Sequence, residues 1–84
     1  MKYKIGESID FLIYRQEANF DRACDAAYQM ALMRFGVDED GHSDRVEGWE
    51  RTHCAINVKF LSYQRQDHDH LYGFACWVSG GDND

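Results

Sequence analysis

The chain reads as an α+β domain in the order strand, helix, strand, strand, with one helix packed on a three-stranded antiparallel sheet of spatial order 1-3-2. Three observations predict it. Apolar residues recur with a period of two near the N-terminus and twice more in the last third of the chain. A single segment of helical period lies between Asn19 and Gly36. The 84 residues contain no proline, and a chain of this size buries only about 60 to 65% of its unfolded surface, which leaves room for one layer interface.

The first strand is predicted from Tyr3 to Arg15: Tyr3, Ile5, Ile9, Phe11 and Ile13 alternate with Lys4, Ser8 and Asp10, and Gly6 marks a kink or bulge. Asn19 is a suitable N-cap, Asp21 suits the positive end of the helix dipole, and Gly36 is a stop after Arg34. At 100° per residue Phe20, Ala23, Cys24, Ala27, Ala31 and Phe35 form one stripe for the sheet, with Leu32 and Met33 at its margins. Residues 37–51 are a long acidic loop; Asp44 and Glu47 have the spacing of a capping box, which allows one short turn before Trp49.

From Thr52 to Arg65 the even positions Cys54, Ile56, Val58 and Phe60 form one buried face, and from Leu71 to Ser79 Tyr72, Phe74, Cys76 and Val78 do the same. Both sets meet one helix only if the hairpin register conserves parity. A three- or five-residue loop centred on His68 does this, pairs Phe60 with Cys76 and Val58 with Val78, and turns Tyr63 and Trp77 outward. A two- or four-residue loop would send Trp77 into the core. The last strand has the most continuous apolar run and belongs in the centre, with the more charged strands at the edges. A parallel arrangement, the first strand beside the second through a right-handed crossover, is also permitted by the connection length.

Hydrophobic residues at 44% and charged residues at 29% are the composition of a folded domain and not of a disordered chain. The two lysines of MKYKIGESID precede no apolar run, and nothing approaches the roughly 20 apolar residues of a membrane span. The expectation is a soluble cytoplasmic domain over residues 1–79, followed by a flexible acidic tail at 80–84. Cys24, Cys54 and Cys76 are odd in number and widely spaced, which suits reduced thiols. A formal charge of −6 argues against direct binding to a phosphate backbone and favours partners with basic surfaces.

The run Asp67-His68-Asp69-His70 is the closest approach to chemistry, because His and Asp ligate zinc and manganese. A site needs three or four converging ligands, and thirteen strand steps hold His53 about 40 Å from the tip. A polar turn is the plainer explanation. In the acidic segment Asp38, Asp40, His42 and Asp44 alternate, yet an EF-hand counted from Asp38 would have Ser43 and Trp49 where glycine and glutamate belong. Cys54 and His53 point to opposite faces of a strand, and Cys24 lies on the helix stripe, so no nucleophile has a base beside it. No enzyme activity, metal or cofactor is expected.

Two surfaces remain. The sheet face away from the helix carries Lys59, Leu61, Tyr63, Leu71, Ala75 and Trp77, with Leu12 and Tyr14 from the first strand. One helix cannot cover both faces, and such a patch marks contact with another chain, a homodimer and a foreign partner both fitting it. The carboxylates of Asp38, Glu39, Asp40, Asp44, Glu47 and Glu50 form a second surface, suited to Lys and Arg of a partner.

In a small acidic chain, SIDFLIYRQ followed by NFDRACDAAYQMALMRFG and two C-terminal strands resembles the layout of small phage-encoded inhibitors of the anti-CRISPR type. The resemblance implies a protein that binds a host nucleic-acid-handling complex and blocks nucleic-acid binding or nuclease recruitment without chemistry of its own. It carries no residue-level roles. The other readings are a homo-oligomeric accessory domain that buries the Trp77 face and a metal-dependent enzyme centred on His68 and His70.

Overall fold

A computed structural model describes residues 2–49 and 54–80. Strand β1 is Ile9–Arg15, helix α1 Phe20–Arg34, strand β2 Cys54–Gln66 and strand β3 Asp69–Gly80. The sheet has the order β1-β3-β2, and both pairings are antiparallel. β3 is central, which agrees with its unbroken buried run from Leu71 to Cys76.

The helix starts and stops where its local chemistry dictates. Asn19 is extended, and its side-chain oxygen accepts from the Arg22 amide at 3.0 Å, satisfying one of the free amides of the first turn. At the other end Gly36 donates to Met33 O at 3.1 Å and Val37 to Leu32 O at 2.9 Å, the paired bonds of a Schellman cap. Gly36 has φ +68°, and a Cβ there would lie 2.7 Å from Arg45 Cδ, so both conformation and space call for glycine. Ala23, Ala27 and Ala31, at four-residue spacing, are fully buried and bring the helix close to the sheet.

The core has two neighbouring parts. Ile13, Ala23, Ala27, Tyr72 and Phe74 form one, with Phe11, Met30 and Val58 against it. Ala31, Phe35, Val46, Cys76 and Val78 form the other, with Tyr3, Ile9, Trp49 and Ile56 packed around them. The predicted stripe holds at its alanines and Phe35, whereas Phe20 is exposed and Cys24 half-buried.

Two expectations are corrected. The first strand begins at Ile9 rather than Tyr3, because the chain turns at Lys4–Glu7 and Gly6 donates to Val78 O at 2.8 Å. Tyr3 instead forms a parallel bridge with Val46, donating to Arg45 O at 2.6 Å and accepting from Glu47 at 2.8 Å. The second correction is the hairpin. Its loop is the two residues Asp67 and His68, with Gln66 opposite Asp69, and not three or five residues. Such a loop opposes residues of unlike parity, so Tyr63 stands opposite Tyr72. A β-bulge between Phe60 and Ser62 then restores parity, pairing Phe60 with Phe74, Val58 with Cys76 and Ile56 with Val78. The even residues Ile56, Val58 and Phe60 therefore do share the helix side with β3, and Trp77 stays opposite Asn57 on the other side.

Candidate interaction surfaces

The acidic segment is built rather than merely solvated. Asp38 Oδ1 accepts from the amides of Asp40 at 3.0 Å and His42 at 2.9 Å, while Asp38 N donates to His42 O at 2.9 Å and Gly41 N to Asp38 O at 3.0 Å. These bonds close a compact turn. The amide of His42 above all, with that of Asp40, holds the Asp38 carboxyl below its usual range. Ser43 is buried and donates through Oγ to Phe35 O, and its oxygen accepts from the Arg45 amide at 3.1 Å. Val46 is buried in the core, and the half-buried Trp49 donates through Nε1 to Gly41 O at 3.0 Å.

The segment is thus tied to α1, to the N-terminal segment and to itself, with Asp38, Glu39, Asp40, Asp44 and Glu47 all exposed. Glu50 lies outside the described residues, as does His53. The acidic reading missed the anchors: Val46 and Trp49 stand among charged residues, and only their apolar character marks them as buried.

The predicted outer patch divides. Lys59 is opposite Ala75 and Trp77 opposite Asn57, on the sheet face away from α1. Leu61 occupies the bulge and, with Asp10, Leu12, Ser62 and Gly73, lines an open depression of about 280 Å³. Ser62 Oγ lies 2.6 Å from where a Cβ on Gly73 would be, so the glycine is what admits the bulge's serine. Leu71 and Ala75 are only 9% and 7% exposed although no helix covers them, since residues on the flanking strands shield them from both sides.

Tyr63 does not belong to this patch. The bulge turns it to the helix side, where its ring packs on Tyr72 at 5.1 Å and stacks on His70 at 5.8 Å, and its hydroxyl hydrogen-bonds His70 Nδ1. Phe20 meets Phe60 edge-on at 5.1 Å, and Phe60 meets Phe74 at 5.9 Å. Phe20, Phe60 and Tyr63 remain 48%, 41% and 48% exposed, because α1 covers the sheet only in part. The sequence places Phe20, Phe60, Tyr72 and Phe74 on the helix side, and Tyr63 and His70 join them only through the two-residue loop and the bulge.

Asp67 and His68 are exposed loop residues, whereas Asp69 and His70 begin β3. Among the described residues no three His, Cys, Asp or Glu side chains are grouped to hold a metal ion. Burial pushes the Cys76 thiol up, and burial with the charges of Asp21 and Asp25 pushes Cys24 up, the direction opposite to that of a reactive thiolate. No described helix is long and apolar enough to cross a membrane. No protein-family model matches the chain, and neither the curated proteins nor the solved structures include a significant match to it.

Proposed function

We propose that the chain is a small acidic binding protein of the phage-encoded, anti-CRISPR kind, which inhibits a host nucleic-acid-handling complex in the cytoplasm by occupying its basic surface. The observation that carries this reading is the anchored acidic segment, with Glu39, Asp40, Asp44 and Glu47 exposed on a backbone fixed by Asp38, Ser43, Val46 and Trp49. Carboxylates held in place lose little freedom on docking. They compete for the same Lys and Arg groups that would otherwise bind phosphates, and complementary potential speeds the encounter. Trp77, opposite Asn57 on the sheet face away from α1, extends the contact beyond the carboxylates.

The test is binding to a partner captured with this protein as bait, followed by a measurement of that partner's nucleic-acid affinity with and without it. The variant is Glu39→Lys, Asp40→Lys and Glu47→Lys together. Asp38 is left intact because its carboxylate shapes the turn. The expected result is at least a roughly tenfold weaker complex with a flatter salt dependence, and loss of inhibition in step. Binding and salt dependence unchanged from the parent would sink the proposal.

A further inference from the structure

Among the described residues β2 lies at an edge of the sheet, hydrogen-bonded to β3 on one side only. Its stretch Ala55–Phe60 is unbroken, since the bulge comes after it. A strand with one open side directs alternate N–H and C=O groups outward, and such edges are usually blunted by proline, short length, inward charge or a bulge. None of these lies between Ala55 and Phe60, where Lys59 is the sole charge and faces away from the helix. Ile56 and Val58 are half-buried in the core and Phe60 is exposed, so a continued sheet would cover apolar surface that α1 leaves open.

Charge narrows the occupant. β2 holds Lys59 and Arg65 and no acid, in a chain of net charge −6. The acidic segment adjoins the Cys54 end of the strand, through the shared packing of Val46 and Trp49 with Cys54 and Ile56. Antiparallel pairing of two identical strands sets the start of each beside the end of the other. Each acidic segment then lies toward the Lys59 and Arg65 end of the second copy, and the two acidic segments are kept at opposite ends of the pair.

We infer that β2 is the docking edge for a second copy of this chain, paired antiparallel about a two-fold axis at Asn57 to make a continuous six-stranded sheet. In this register Ile56 faces Val58 of the second copy on the helix side, and Ala55 faces Lys59 on the outer side. No like charges are opposed, because the two Lys59 residues stand about 13 Å apart along the strands, beyond the screening length of about 8 Å at physiological salt. Asn57 keeps its own outer-face bonds, through Nδ2 to Ser79 Oγ at 2.9 Å and Ala55 O at 3.3 Å. The surface buried by one strand pair is below the roughly 800 Å² per partner of a standard interface, so the dimer is weak and reversible. The inference does not depend on the proposed function.

Sedimentation equilibrium from about 1 μM to about 1 mM reads the association constant. The parent is expected to pass from monomer to dimer across this range. Ala55 is exposed, and its replacement leaves the fold, followed by circular dichroism, unchanged. Ala55→Lys opposes two pairs of like charges and weakens the dimer about tenfold, whereas Ala55→Glu creates two opposite pairs and tightens it by a similar factor at low salt. A monomer throughout the range overturns the inference. So does a dimer whose constant ignores both substitutions, which would mean another surface is used.

Discussion

Asp67 is the one non-glycine residue among those described with positive φ, 54°, and it allows the hairpin to close in two residues. Aspartate tolerates this left-handed region better than most side chains, and a β-branched residue tolerates it worst. Asp67→Val is therefore expected to cost about 1–2 kcal/mol, whereas Asp67→Gly stays within about 0.5 kcal/mol of the parent because relief of strain offsets the freer unfolded chain. Urea denaturation midpoints check both. The same small acidic side chain does a different task at Asp38, where it binds two amides in its own turn. The residue types of both turns were legible in the sequence. Which aspartate caps backbone and which takes positive φ was not, because that depends on where the chain must reverse.

At the scale of the element, β2 is one strand with two registers. Its tip follows the two-residue loop, its base follows the core, and the bulge at Leu61 reconciles them. Sequence parity correctly required Ile56, Val58 and Phe60 to face the helix with Tyr72, Phe74 and Cys76. An odd loop was one way to satisfy that requirement, and the chain uses a bulge instead. The bulge inverts the residues between it and the tip, which is why Tyr63 joins Tyr72 and His70 rather than Trp77. Gly73 across the sheet is the only sequence trace of this, since its missing side chain makes room for Ser62. Gly73→Ala is expected to destabilise by about 1–3 kcal/mol through crowding. Adding Ser62→Ala should recover most of the loss, and a double-mutant cycle of unfolding free energies measures the coupling. Equal costs with and without Ser62 would contradict the crowding.

The whole molecule measures 46 × 23 × 22 Å, longer than a rounded domain, because one 15-residue helix covers only part of a sheet whose hairpin strands have 13 and 12 residues. The end near Phe35 is closed by chain outside the helix and the three strands: Tyr3, Val37, Val46 and Trp49 complete the second part of the core. Val46→Ala, at a fully buried site, is expected to cost about 2 kcal/mol. Amide exchange at residues 38–47 should accelerate more than in the β2–β3 ladder, since the bridge to Tyr3 and the Trp49 contact rest on that packing. Uniform acceleration across the molecule would indicate that the segment unfolds only with the rest. The sequence reads residues 37–51 as an acidic loop and does not show that Val37, Val46 and Trp49 supply core.

By itself the sequence determined the element order, the helix with its caps and alanine stripe, the central place of β3 and the even inner face of the hairpin. These follow from local periodicity, capping chemistry and the need to bury one face, all written along the chain. Only the tertiary structure decided the two-residue loop, the bulge, the side taken by Tyr63, the early end of pairing before Ile9 and the anchoring of Val46 and Trp49. Each of those depends on distant segments competing for the same space or the same backbone partner. Gly73 with Ser62 and Tyr3 with Val46 are separated by 11 and 43 positions, and no local pattern records who meets whom at such range.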